Sequence, residues 1–206
     1  MTNIYRYVLM GDGGMAPNPR DGLLTLATCK PQIRNTAQTG DWVIGNFPSP
    51  RNELVAWAGR IANCIPVGLY SSEFPERDDA LHDMGPDGEP QRIAGKHDWY
   101  HQRPAEQRKD RSGNVLVFDM ESCWYFGGAG RQFPPELEHL VARGQGHRVN
   151  KREPGDLEQL QCWLREQGAP GIIGEPRDGW DGPDDEPPRP CGSRKRRKPK
   201  KPKGSC

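Results

Sequence analysis

Residues able to do chemistry gather in a few short stretches of this chain. His97-Asp98-Trp99-Tyr100-His101 places two imidazoles four residues apart, with a carboxylate and two rings between them. A carboxylate beside an imidazole can work as an acid–base pair, which makes Asp98 and His101 the catalytic candidates. The same spacing is half a metal site. A third ligand, Cys123 or His147, would have to be brought in by the fold, and neither a metal nor a cofactor is predicted. Lys30 and Arg34 stand one helical turn apart and can present two cations on one face. Arg143, His147 and Arg148 form a second basic group in a Gly-rich stretch. Each group reads either as a phosphate contact or as a solvated cationic face. Asn18, between two prolines, and Asp41, after Gly40, can hydrogen-bond a ligand edge or close a turn on their own backbone. Trp42, Trp99, Tyr100, Trp124 and Tyr125 supply rings on which a flat heterocycle can stack, worth ~1–3 kcal/mol per base. Trp57 reads as core.

Several chemistries are missing from the sequence. There is no Gly-x-Ser-x-Gly elbow and no Gly-Lys-Ser/Thr phosphate loop. The six cysteines (Cys29, Cys64, Cys123, Cys162, Cys191 and Cys206) form no Cys-x-x-Cys pair, so zinc-knuckle spacing is absent. They read as small buried hydrophobes in the body and exposed thiols in the tail.

Short elements must position these groups. Ile4 to Met10 is β-branched and aromatic and stops at Gly11-Asp12-Gly13-Gly14, which predicts a first strand and a loop. Leu23 to Ala27 predicts a second strand. Thr28 can cap a helix with Pro31 in its first turn, running to about Gln38. Trp42 to Phe47 and Leu54 to Cys64 predict further strands, the latter with Val55, Trp57, Gly59 and Ile61 on one face. A short helix is expected from Ser71 or Ser72. Met84 to Arg92 reads as a loop, and Gln102 to Asn114 as polar and mobile. Val115 to Phe118 and Cys123 to Phe126 predict two strands. Pro134 opens a helix to about Arg143. Asp156 with Gln159 has capping-box spacing ahead of Leu157, Leu160, Trp163 and Leu164, a helix ended by Gly168. No βαβ rhythm is present, which argues against a doubly wound sheet. The expected class is α+β: a small bent mixed or antiparallel sheet, or a barrel, with flanking short helices. Beyond Gly174 the composition turns to Pro, Gly and Asp, so a domain of residues 1–174 is expected, followed by an acidic Pro/Gly linker and tail at 175–206.

Taken together, Ala16-Pro17-Asn18-Pro19, Thr25 to Pro31, Ile33-Arg34 and Gly40-Asp41-Trp42-Val43-Ile44-Gly45 resemble the second type of nucleotide modification associated domain. The likeness continues through His97 to His101, Trp124-Tyr125-Phe126-Gly127 and Arg143-Gly144, and covers about residues 4–174. That family is named for its genomic association with systems that modify DNA bases in bacteria and their viruses, and the resemblance implies that context. A looser likeness, through Gly40-Asp41-Trp42 and Gly59-Arg60-Ile61, is to PUA-like barrels that read modified bases.

The whole chain of 206 residues has a formal net charge of +1. The tail holds Arg194, Lys195, Arg196, Arg197, Lys198, Lys200, Lys201 and Lys203 without an acid, which leaves about −7 on the preceding residues. A basic arm on an acidic body reads as disordered and as a weak, salt-dependent contact for nucleic acid. No segment has membrane-spanning length, and a secretory signal pattern is not seen, so a cytoplasmic protein is expected. The expected partner is a nucleotide or DNA carrying a modified base, with no membrane and protein partners unknown. The leading expectation is a binding protein for such a base. The alternatives are an enzyme acting on nucleotides or DNA bases, and a non-catalytic interaction protein.

Overall fold

The two longest strands bend, and their bending shapes the molecule. The computed structural model describes residues 2–144, 147–149 and 153–180. The strands are β1 (Ile4–Val8), β2 (Thr25–Leu26), β3 (Trp42–Asn46), β4 (Leu54–Pro66), β5 (His82–Met84), β6 (Pro90–Arg92), β7 (Asn114–Tyr125), β8 (Arg131–Gln132), β9 (His147–Val149) and β10 (Gly171–Ile172). The helices are α1 (Pro31–Thr36), α2 (Val67–Glu73), α3 (Pro104–Asp110) and α4 (Asp156–Glu166), with 3-10 turns at Gly127–Ala129 and Pro135–Leu140. The main sheet runs β10-β7-β4-β3-β1-β9, with β2 on β7 and β8 on β4. β1 is parallel to β3 and β10 to β7, while the other pairs of this sheet are antiparallel. The result is a curled mixed sheet, a half-barrel with a few short helices, as the sequence led us to expect.

Register shifts in β4 produce the curl, because an extra residue on one strand bends it and tightens its twist. They fall opposite Gly45/Asn46 in β3, and at Gly59/Ile61 and Ile61/Asn63 against β7. Gly45 pairs with Trp57 and Asn46 with Val55, so Ala56 is the extra residue. That bulge breaks the alternation expected for β4. Trp57 and Ile61 pack inside the curl with Tyr5, Tyr7, Leu26, Ile33, Phe118 and Tyr125. Val55 packs on the other face with Trp42, Ile44, Trp124, Phe126, Leu160 and Trp163.

Other boundaries moved for local reasons. The two strands expected around residues 115–126 are one bent strand, β7. The stretch expected to be mobile between Gln102 and Asn114 contains α3, opened by Pro104 and closed at its start by reciprocal bonds between Arg103 and Glu106. Asp156 does not cap α4. Gly155 holds the cap position in the left-handed region, and Asp156 Oδ2 accepts the Glu153 N–H at 3.1 Å.

Residues 175–180, expected to begin a linker, pack on the domain. Asp178 Oδ2 accepts the Asp12 N–H at 2.8 Å, and its own N–H donates to the Asp12 carbonyl at 2.9 Å. Arg177 Nη2 reaches the carbonyls of Leu9 and Met10 at 3.2 and 3.1 Å. The Arg20 guanidinium lies 4.4 Å over the Trp180 ring. The basic tail lies outside the described residues. Among the described residues no helix is long and apolar enough to cross a membrane. A chain ending at residue 180 is expected to keep the melting temperature of the full chain. One ending at 174 loses these bonds and is expected to be less stable by about 2 kcal/mol or more, read by urea denaturation.

Candidate functional site

β2 is only two residues long, yet its pairing decides what meets what. Leu26 pairs with Leu116 and Thr25 with Val117, antiparallel. Residues just after Leu26 therefore lie beside residues just before Leu116. That places the Thr28-Cys29-Lys30 turn against the end of α3.

Three side chains meet there in a line. Cys29 Sγ is 3.7 Å from His101 Nε2. His101 Nδ1 is 2.5 Å from Asp110 Oδ2. The second carboxylate oxygen, Oδ1, accepts the Cys29 N–H at 3.0 Å. An Asp110 carboxylate takes the Nδ1–H, which leaves the Nε2 lone pair facing the thiol. This is the geometry of a nucleophile, a base and a group that orients the base. Tyr100 stacks on the His101 ring at 4.0 Å between centroids, and its hydroxyl lies 3.0 Å from Thr28 Oγ1 and 3.7 Å from Cys29 Sγ. Cys29, Tyr100, His101 and Asp110 are all buried.

The backbone here is strained. Cys29 (φ 57°), Lys30 (φ 40°) and His101 (φ 48°) are non-glycine residues in the left-handed region. Each such residue costs on the order of 1–3 kcal/mol, and positions of this kind concentrate at functional sites. Thr28, expected as a helix cap, spends its hydroxyl on Tyr100 instead, and Lys30 takes the cap position.

Arg34 holds the arrangement together. It is fully buried. Its Nη1 donates to the Cys29 carbonyl (3.2 Å), Nη2 to the Asp110 carbonyl (2.8 Å) and Nε to the Asn114 carbonyl (2.9 Å). Burial pulls its pKa down to about 10, with Asp110 opposing that shift, so it remains a cation at neutral pH. Arg34 is thus a backbone clamp and offers no exposed face to a phosphate. A second arginine fixes the turn before His101. Arg92 Nη2 donates to the carbonyls of Lys96 (3.2 Å), His97 (2.7 Å) and Tyr100 (3.3 Å).

The remaining sequence candidates fall elsewhere. Asp98 is exposed, and the carboxylate on His101 is Asp110 rather than Asp98. Lys30 Nζ donates to the Val8 carbonyl at 3.3 Å and sits 4.4 Å over the Tyr7 ring. Asn18 is buried, and its carbonyl accepts Arg77 Nη2 at 3.1 Å. Asp41 closes a turn, accepting the N–H groups of Asn3 (2.7 Å) and Gln38 (3.0 Å). Trp42, Trp124 and Tyr125 are core rings without an exposed face, and the Tyr125 hydroxyl donates to Asp12 at 2.8 Å. Trp99 is partly exposed, edge-on to His97 (5.5 Å) and Tyr100 (5.6 Å). Arg143 is exposed, pairs with Glu138 and lines an open cleft of about 550 Å³ with Arg6, His139, Val141 and Gly144. His147 lies on β9, its ring 6.4 Å from that of Tyr5. Around the cleft, His139, Glu153 and Asp156 carry ligand-type atoms within 4.8 Å of one another. His97 ring Nε2 faces Asp78 at 3.4 Å, so the two imidazoles of the His-x-x-x-His stretch have separate partners.

Sequence reasoning missed Cys29 and Asp110. The only sign of Cys29 was its place in the most specific block, between Thr28 and Lys30-Pro31. Asp110 carried no sign, since only the β2–β7 pairing brings it across.

A curled α+β sheet with a buried thiol–imidazole–carboxylate line defines a small mixed-sheet domain whose polar centre lies at the end of a strand pair. The family model described as nucleotide modification associated domain 2 matches residues 1–79 and 88–181, and the chain belongs to that family. No curated protein and no solved structure matched. The looser likeness to PUA-like barrels has no counterpart in these comparisons.

Two outcomes follow from the clamp and its surroundings. Arg34→Lys reaches at most one of the three carbonyls and is expected to lower unfolding free energy by about 2–4 kcal/mol, measured in urea. His82, buried on β5 and facing the charges of Arg92, Asp110 and Arg34, has its pKa lowered from 6.5 to about 4, first by burial and then by Arg92. Between those values the unfolded chain binds a proton that the folded chain refuses, so stability falls as pH drops from about 6.5 to 4. Thermal melts across that window are expected to show a shallower pH slope for His82→Gln than for the unmutated chain.

Proposed function

We propose that the chain is a thiol-dependent enzyme acting on a nucleotide or a DNA base, with Cys29 as nucleophile. The observation that carries this reading is the line Cys29 Sγ–His101 Nε2–Asp110 Oδ2, at 3.7 and 2.5 Å. Membership in a family named for its association with nucleotide modification supports the choice of substrate class. His101 Nε2 takes the thiol proton while Asp110 stabilises the imidazolium that forms. The thiolate then attacks an electrophilic ring carbon of the base, forming an S–C bond. The displaced π pair moves to the neighbouring ring heteroatom, which takes the proton back from the imidazolium. Reversal restores thiol and base, so the adduct is balanced without another reactant. Tyr100 and Thr28 fix the ring and the thiol, and partly exposed Trp99 is the ring on this side of the molecule open to a base. Segment 194–203 adds salt-dependent affinity for a polyanion.

A binding-only protein is the second reading, and the partial exposure of Trp99 favours it. Iodoacetamide labelling followed by mass spectrometry separates the two. Cys29, though buried, is expected to alkylate faster than exposed Cys162. His101→Ala and Asp110→Asn are expected to slow Cys29 by about 10²-fold or more, with Cys162 unchanged. Asp98→Ala is the direct comparison with Asp110→Asn, and it should not slow the reaction. Mass spectrometry of the chain mixed with nucleotides is expected to show an adduct on Cys29 that Cys29→Ala abolishes. Cys29 slower than Cys162, together with no adduct on Cys29, would leave the binding-only reading.

A further inference from the structure

The β5–β6 hairpin presents an unanswered pair of polar atoms beside the Cys29 centre. His82 pairs with Arg92 across the hairpin, so their side chains stand on the same face. His82 is 3 % exposed. Its Nε2 and Arg92 Nη1 are both buried and have no hydrogen-bond partner among the described residues. Buried polar atoms are nearly always partnered, and two orphans on directly paired residues mark a place where an absent group belongs. The other half of the Arg92 guanidinium, Nη2, is fixed on the Tyr100 carbonyl, one residue from His101. The orphan pair therefore lies next to the imidazole rather than at a remote surface.

The charge around this pair favours an anion. Three guanidinium groups (Arg92, Arg34 and Arg111) and the Asp110 carboxylate act on His82, and the Asp110 and Asp98 carboxylates act on Arg92, which leaves three cations against two anions. Asp110 makes no hydrogen bond to either orphan atom; its oxygens accept the Cys29 N–H and face His101 Nδ1. Arg34 spends its N–H groups on neutral carbonyls, which leaves its charge uncancelled by direct contact. A buried cationic excess with a donor to spare is a receptor for an oxyanion.

We propose that His82 and Arg92 bind an anionic oxygen group of the substrate, the phosphoryl group of a nucleotide, next to the Cys29 thiol. Its catalytic meaning rests on the reading of Cys29 as nucleophile, but anion binding itself does not need the thiol. A substrate anchored here by its phosphate presents its base to the thiol, so the substrate class becomes a nucleotide rather than a free base or nucleoside.

The test is isothermal titration of inorganic phosphate, a deoxynucleoside monophosphate and the matching nucleoside into the full chain carrying Cys29→Ala. Phosphate and nucleotide are expected to bind, and the nucleoside at least tenfold more weakly. His82→Leu and Arg92→Gln are expected to weaken phosphate binding at this site at least tenfold, while His82→Gln, which keeps an N–H donor, weakens it less. Phosphate held by the basic tail is unaffected by these changes, so the difference isolates the hairpin. If His82→Leu does not fold, imidazole resonances of the unmutated chain decide: those of His82 should shift on adding phosphate. Identical phosphate titrations with and without His82→Leu, or unshifted His82 resonances, overturn the proposal and leave the space to buried water. Loss of phosphate binding in His82→Leu with an unreactive Cys29 keeps the anion site and rejects the nucleophile.

Discussion

The bonds from Arg34 to three backbone carbonyls are what the polar centre depends on. A guanidinium with no exposure is expensive to bury and stays charged, so each of its N–H groups needs an acceptor. The acceptors are Cys29, at the turn after β2, Asp110, at the end of α3, and Asn114, the first residue of β7. One cation thereby fixes both ends of the thiol–imidazole–carboxylate line through the main chain and makes none of these bonds to its side chains. Moving the turn would break bonds to a charge that has no water to replace them. This is why a turn containing two consecutive left-handed, non-glycine residues can persist.

A two-residue strand cannot anchor such a turn alone, and β2 is fastened from its other end too. Arg77 Nη2 donates to the Asn18 carbonyl (3.1 Å) and to Thr25 Oγ1 (2.8 Å). Thr25 Oγ1 also donates to the buried Asp79 carboxylate, whose other oxygen accepts the Tyr70 hydroxyl at 3.1 Å. The start of β2 is thus tied to α2 and the end to α3, each by a buried arginine. Rigid sheet lies beneath, and the segments that carry the proposed site lie beyond it, which is the usual division of labour in a folded domain.

These devices explain what was legible in the sequence. β1, β3 and α4 were readable because β-branched or apolar residues run together and then stop, at Gly11, Pro48 and Gly168. The mixed curled sheet followed from strand spacing without a βαβ rhythm. The alternation in β4 misled at Val55, because a bulge at Ala56 changes the face and leaves no mark in residue type. Aromatic residues named as ligand platforms were placed by chemistry alone. The sequence does not say which side of a strand faces a second core, and the curl has one on each face. Lys30 and Arg34 were paired by helical spacing, but α1 begins at Pro31, so Lys30 is in the turn and Arg34 turns inward. His101 was found because an imidazole beside a carboxylate is a local pattern. Its true partner lies nine residues on at the far end of a helix, which is information carried by topology.

The restraint on His101 bears on whether the line is chemistry or mere packing. A structural histidine needs one partner to satisfy a ring nitrogen. This one is held at Nδ1 by Asp110, faces a thiol at Nε2, is stacked over its face by Tyr100, and is forced into a left-handed backbone by a turn that Arg92 gathers through three carbonyls. Each restraint costs conformational freedom or strain, and an apolar side chain in the same space would need none of them. Asp110 in turn divides its carboxylate between the imidazole and the Cys29 N–H, so thiol and base are registered to one acid. Restraint on this scale supports the proposed proton-transfer role, because stabilising a core does not require it.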